Sequence, residues 1–356
     1  MGAEGQKGMH DRRKEEKSGN QTRAPIPGSF SASDLPIDDE GRIYHLQVKP
    51  EQIAADILLV GDPGRAEFVG SEFLSDIELE HEHRGLVTVT GLSEITGQPA
   101  TIISPFRTTV STSGMGTPSL EIVASELVAL NEIDFASRTR KQEFPRLHII
   151  RVGTSGALQS ATQLGTLIIT AYAIGFDNTG LYYEAPYADE HCWRLERELY
   201  DLVEKKMDAG SRFLGKIHPY VARTEPVVVE ALLKASEILG ASAKMGLTAS
   251  LSGFFAPQGR DICRVKPSLP DLDQILGDYD PGLDDLRVEN MEMEASFLLH
   301  FLGGLGYWAG AFCPTIANRR DDTFDVNYLD AVRGAIQVAL MALADLRSRD
   351  PDARMR

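Results

Sequence analysis

The chain has 356 residues, with 52 Asp and Glu against 36 Lys and Arg and a net charge of −16. That field disfavours nucleic acid and anionic membrane surfaces, both of which are bound by basic faces. A small anionic substrate would need a local cationic pocket built against the overall charge.

Residues 1–42 are rich in Gly, Lys, Ser, Asp and Pro and poor in aliphatics. They bury too little to offset ordering entropy, so a disordered tail is expected there, followed by a single domain over 43–350. ADILLVG, residues 55–61, reads as a buried strand opening into a Gly-Asp-Pro-Gly turn. GLVTVTGL (85–92) and ATIISPF (100–106) read as a further pair of strands. Leu120, Val123, Leu127 and Leu130 then recur at helical spacing. LHIIRVG (147–153) and TLIITAYAI (166–174) read as buried strands, and CWRLERELYDLVEKKM (192–207) as an amphipathic helix. Ala295 to Asn318 lacks Asp, Glu, Lys and Arg and has the length of a membrane span. His300, the glycines of GGLG and Pro314 interrupt it, so a buried helix, a glycine turn and a buried strand account for it better. YLDAVRGAIQVALMALADL (328–346) closes the chain as a helix, and insertions are expected around 132–146 and 264–288. The alternation predicts an α/β domain with helices outside a mainly central sheet. Cys192, Cys263 and Cys313 stand at no metal or redox spacing, and the first residues hold no apolar run of secretory type. Both features predict a reduced, cytoplasmic protein.

Polar groups interrupt the apolar pattern at six places. In VGDPGR, Val60 to Arg65, backbone N–H groups of the turn can face an anion with Arg65 behind them; a plain turn is the alternative. Arg151 sits inside the apolar strand of IIRVGTSGAL, where an unpaired guanidinium is costly. It must meet carboxylates, carbonyls or a bound anion, and a structural salt bridge explains it as well as an anion site does. Thr154 follows on a glycine-flanked turn, where its hydroxyl and N–H can face a pocket. Arg84, in HEHRG, is explained by a solvated loop. STSGMGTPSLEI, Ser111 to Ile122, sets glycines before a helix start marked by Pro118; the spacing is neither a dinucleotide fingerprint nor a P-loop. ENMEMEAS carries Glu289, Glu292 and Glu294 ahead of an apolar helix. The helix dipole suffices to explain carboxylates there, and hydrogen bonds to sugar hydroxyls are the functional alternative. FFAPQGR, Phe254 to Arg260, joins an amide with donor and acceptor to a guanidinium with donors only, a pair suited to reading the edge of a flat ligand.

Together and in order, GDPGR, HR, SGMGTPS, IIRVGTSGAL, FFAPQGR, EMEAS and ANRR resemble nucleoside phosphorylase family I over roughly residues 43–345. The spacing F-x-x-x-Q-x-R points to its uridine phosphorylase branch. The resemblance implies a three-layer α/β/α fold with a central mixed, partly barrel-like sheet. It implies a pentosyltransferase that reversibly phosphorolyses uridine, or deoxyuridine, to uracil and the sugar 1-phosphate. Inorganic phosphate is then a co-substrate, with no cofactor or metal. Position by position, Gly61, Arg65, Arg84, Arg151 and Thr154 would bind phosphate, with Arg84 completing a neighbouring subunit's site. His45, Glu292, Met293 and Glu294 would bind ribose, His45 also from the neighbour. Phe254, Gln258, Arg260 and Arg319 would meet the base, with Arg320 an alternative to Arg319. Arg151, Thr154, Gln258, Arg260 and Glu294 form the expected catalytic set. Gly85 stands where some bacterial members carry a cation-binding Glu, so no monovalent cation is expected although Ser119 is retained. Shared sites imply a homodimer or homohexamer, and the insertions favour the dimer. Other nucleosides (thymidine or purine nucleosides) and a non-catalytic nucleoside-binding homologue are the competing readings.

Overall fold

The structure is a computed structural model that describes residues 28–93 and 105–351. Residues 1–27 of the expected tail and 100–104 of the expected strand ATIISPF lie outside the described residues. The first half of the chain contains β1 (Asp56–Val60), α1 (Pro63–Phe73), β2 (Leu74–His83), β3 (Leu86–Ser93), β4 (Phe106–Thr112) and α2 (Thr117–Glu132). A small hairpin of β5 (Ile133–Asp134) and β6 (Thr139–Arg140) leads to β7 (His148–Val152), β8 (Ser155–Ala157) and β9 (Leu167–Phe176). The second half contains α3 (Glu190–Lys206), β10 (Tyr220–Arg223), α4 (Pro226–Ile238), β11 (Ala243–Leu251) and α5 (Leu272–Asp278). It ends with β12 (Val288–Glu292), α6 (Ala295–Gly304), β13 (Trp308–Asn318), β14 (Thr323–Phe324) and α7 (Leu329–Arg349).

The main sheet is mixed, in the order β10-β9-β11-β12-β8-β13-β7-β1-β4-β3-β2. A further β9–β13 pairing closes β9, β11, β12, β8 and β13 into a ring, the barrel-like part expected from the resemblance. Helices α1, α4 and α7 cover one face through Val69, Phe73, Val228, Leu232, Ile336 and Leu343. Helices α2 and α6 cover the other through Leu120, Leu127, Phe297 and Leu298. Helices α3 and α5 pack against the ring through Leu195, Leu199, Leu272 and Leu276. The uncharged stretch Ala295–Asn318 is the buried helix, turn and strand anticipated above. Among the described residues, no helix is long and apolar enough to cross a membrane.

One expectation needs correction. Residues 28–42 are not an unpacked tail: Leu35 is buried, Phe30 N donates to the Arg138 carbonyl and its own carbonyl accepts from the Arg138 side chain, and Ile37 bridges to Ile43. An insertion was expected around 264–288. That segment contains α5, whose buried Asp273 pairs with a residue of the site described next.

Register positions that site. Val60 pairs with Thr112 on one side and Val152 on the other, all parallel, so β1, β4 and β7 end level. Their outgoing loops therefore emerge side by side at the carboxyl ends of the strands, where open α/β sheets bind ligands.

Candidate active site

A cavity of 510 Å³ opens at these strand ends, lined by residues of the loops after β1, β4, β7, β11, β12 and β13. At one end stand two arginines. Arg151 projects from β7 and is buried, with Nη1 3.3 Å from Glu292 and Nη2 2.7 Å from Glu294. Its Nε has no partner among the described residues. Burial opposes its charge, but Glu294 and then Glu292 overcome this and raise it above its ordinary value. Gly153 is required beside it: a Cβ there would lie 2.4 Å from Arg151 Nη1 and 2.8 Å from Cys313 Sγ. Arg65 donates to the Val152 carbonyl at 3.2 Å and lies 3.3 Å from the Asp62 carboxylate. Burial pulls its guanidinium down, Asp62 opposes this, and the charge of Arg151 adds to the depression. Two cations held against each other in this way favour a shared anion. Gly61 and Thr154 line the same end, and Asp62 caps α1 by accepting from Arg65 N at 3.0 Å. Burial pushes the neighbouring Cys313 thiol up to about 12, so it stays protonated rather than serving as a nucleophile.

The triplet Glu292-Met293-Glu294 forms the middle of the cavity. Glu292 is occupied by the protein: it accepts from Glu294 N at 2.9 Å, Ala295 N at 3.0 Å and the Ser250 hydroxyl. This anchors the start of α6, as the dipole argument anticipated. Burial and the neighbouring Glu294 charge raise its pKa, with Arg151 opposing. Glu294 accepts from Gly116 N at 2.6 Å besides Arg151. Gly116 has φ +84 and begins α2, so this backbone geometry is what brings the amide to the carboxylate. Glu289 is elsewhere, accepting from Thr162 at 2.8 Å and pairing with Lys244 at 2.7 Å.

At the other end, Gln258 is 3% exposed and its Oε1 accepts from Arg260 Nη1 at 2.7 Å. That bond leaves the amide N–H₂ as the group free to donate. Arg260 also donates to the Phe254 carbonyl at 2.6 Å and lies 3.9 Å above the Phe254 ring centre. Phe254 is thus the platform for Arg260 on one face. Arg319 lines the cavity and pairs with Asp273 at 3.0 Å, whereas Arg320 turns away to Leu158, Gln274 and Asp278. Burial and the Arg319 charge depress Arg260, and Asp273 opposes them. Asp322, Thr323 and Phe324, which sequence reasoning did not single out, also line the cavity.

Arg84 and His45 lie outside this cavity, adjacent to each other. Arg84 donates to the Tyr44 hydroxyl at 2.8 Å and sits 5.0 Å over its ring. His45 Nδ1 is 2.7 Å from Glu126, and its carbonyl faces His83 Nδ1 at 2.9 Å. Arg84 and Gly85 have φ +55 and +76, consistent with a hairpin turn that favours glycine at the second position. Among the described residues, no group of His, Cys, Asp and Glu is arranged to hold a metal.

Comparison with known families assigns the class. The Phosphorylase superfamily model matches residues 56–346, and the chain belongs to that superfamily. Uridine phosphorylase of Thermococcus kodakarensis is 30% identical over 299 residues, 83% of this chain and 84% of the relative. A DeoD-type purine nucleoside phosphorylase of Alkaliphilus metalliredigens is 33% identical over 164 residues, 46% of this chain and 60% of the relative. A crystal structure of a Trypanosoma brucei nucleoside phosphorylase showing uridine phosphorylase activity superimposes with a TM-score of 0.74 at 28% identity, covering 88% of this chain and 100% of that one. The protein is a nucleoside phosphorylase, a pentosyltransferase acting on nucleoside and phosphate.

Proposed function

We propose that the nucleoside is uridine, which the protein converts with phosphate to uracil and ribose 1-phosphate. The observation that carries this reading is the base end of the cavity, where Gln258, Arg260 and Arg319 converge. With Gln258 Oε1 engaged by Arg260, the free polar groups there are predominantly donors, suited to the two carbonyl oxygens of uracil.

The reaction follows from electrostatics and positioning. Phosphate, held by Arg65, Arg151, Thr154 and the Gly61 turn, forms a bond to C1′ as the C1′–N1 bond breaks. The bonding electron pair leaves with the base, and its charge spreads onto O2 and O4. Gln258, Arg260 and Arg319 face that charge, which makes their stabilisation greatest in the transition state. Glu294 receives the 2′- and 3′-hydroxyls beside Met293, and Glu292 fixes the loop that carries it. No side-chain nucleophile is required. His45 and Arg84 act from the neighbouring copy of a homo-oligomer in the cytoplasm, which supplies the ribose 5′ end and the last phosphate contact.

Uridine and inosine, each with and without phosphate, separate the readings by absorbance. Phosphate-dependent cleavage of uridine is expected. Cleavage of inosine alone, or cleavage indifferent to phosphate, would overturn the assignment.

A further inference from the structure

The base end contains a charge problem. Arg319 is close enough to Arg260 for its charge to depress that guanidinium, and both are partly buried. The Phe254 carbonyl and ring and the Gln258 Oε1 hold Arg260. Among the described residues, Arg319 has one ionic partner, Asp273, at 3.0 Å, and a long contact of 3.5 Å to the Gln258 backbone carbonyl. Its Nε is buried without a partner among the described residues. Asp273 is itself 7% exposed and lies against the turn that carries the base readers. A Cβ at Gly259, whose φ is +73, would be 2.3 Å from Asp273 Oδ1. The carboxylate therefore touches both the Gln258-Gly259-Arg260 turn and the second arginine.

We propose that Asp273 is a positioning residue for the leaving base: it holds Arg319 beside Arg260, with donors left over for a base oxygen. This rests on the reading of Arg319 as a base-end residue in a uridine site. Without the carboxylate, two like charges remain side by side and Arg319 separates toward solvent. The binding of phosphate and sugar, at the other end of the cavity, is untouched. The loss therefore falls on the step in which the base takes the electron pair.

The test is a double-mutant cycle of Asp273→Asn and Arg319→Gln, with uridine and 5-fluorouridine as substrates. Asp273→Asn is expected to lower kcat on uridine about 10- to 100-fold, the range for a charge-assisted hydrogen bond, with KM for phosphate unchanged. The fall should be smaller on 5-fluorouridine, whose base leaves as a more stable anion and needs less help. The double variant should match Arg319→Gln alone, because Asp273 then has nothing to hold. If Asp273→Asn does not fold, Arg319→Gln against the double variant, an amide pair, decides the matter. Equal losses on both substrates, or a further 10-fold fall in the double variant, overturns the role of Asp273. A wild type that cleaves inosine and not uridine overturns the uridine reading and this inference with it, so the two failures are distinct.

Discussion

Arg151 and Glu294 are bonded to each other at 2.7 Å in the buried floor of the cavity. The cation proposed to hold phosphate and the carboxylate proposed to hold the sugar thus form one electrostatic unit, completed by Glu292 at 3.3 Å. In the proposed reaction their functions are coupled: a phosphate drawing on Arg151 would loosen its hold on Glu294, which the sugar hydroxyls would then engage. Coupled binding of phosphate and nucleoside follows from this geometry.

Removing Arg151 tests the unit. Arg151→Ala leaves two carboxylates buried against each other, a loss of about 3–5 kcal/mol by analogy with broken buried pairs. The activity loss should reach about 10²–10³-fold, as for removal of an oriented transition-state donor. Denaturant titration and phosphate saturation curves check the two effects separately. A variant with full activity would remove Arg151 from the phosphate site.

Glu292 gives the apo protein a pH signature. Its carboxyl is held above the ordinary Glu value of about 4.3 by burial and by Glu294. A carboxyl raised on folding contributes stability that is complete below its unfolded value and lost as pH rises through its folded value, here about 7. Melting temperature should therefore carry a component that declines between about pH 4.5 and pH 7.5. Glu292→Gln, which keeps the shape and cannot ionise, should flatten that component. A variant whose profile parallels the wild type would assign the slope to other groups.

Much of this was legible in the sequence because the residues proposed for phosphate and sugar lie at the ends of buried strands and a helix, where short contiguous motifs set local geometry. Arg151 was recognisable as a buried cation needing partners before its partners were known, and Glu292 and Glu294 are those partners. Asp273 was not legible. It lies 46 residues from Arg319, in a segment whose charges and prolines suggested an insertion, and only the tertiary fold brings the two together. Residues 28–42 were misread for a related reason. Their packing depends on Leu35 and on hydrogen bonds of Phe30 to the backbone and side chain of the distant Arg138, not on any apolar periodicity. The choice between Arg319 and Arg320 was likewise a matter of side-chain direction, which adjacent identical residues cannot reveal.

Gln258 should govern base choice more than sugar or phosphate binding. It is buried, and its amide is oriented by Arg260. Gln258→Leu preserves bulk and removes the directional pair, so kcat/KM for uridine should fall about 10²–10³-fold through the unpaired carbonyl and the released Arg260. The loss on a purine nucleoside, if any turnover is measurable, should be smaller. Equal proportional losses on both nucleosides would show that Gln258 does not discriminate.

Gly259 is a backbone counterpart to that test. Its φ of +73 lies in the region that favours glycine, and a methyl would press on Asp273 Oδ1. Gly259→Ala should cost about 1–2 kcal/mol in stability from the left-handed backbone alone. It should also raise KM for the nucleoside while leaving KM for phosphate near the wild-type value, since the disturbed turn is at the base end. A rise confined to phosphate would place the turn at the wrong end of the substrate.

The position of Arg84 makes a prediction about assembly. It is exposed on the β2–β3 turn, stacked on Tyr44 and outside its own chain's cavity, with His45 next to Tyr44. If it serves the neighbouring copy, Arg84→Ala and Arg151→Ala inactivate different halves of a composite site. Each homo-oligomer alone should be nearly inactive. Co-expression of the two variants should restore phosphorolysis, because some sites in a mixed assembly pair an intact Arg151 from one copy with an intact Arg84 from the other. Differently tagged subunits, purified in tandem, isolate those mixed assemblies for assay. No recovery in them, with assembly demonstrated, would mean that Arg84 acts within its own chain or not at all.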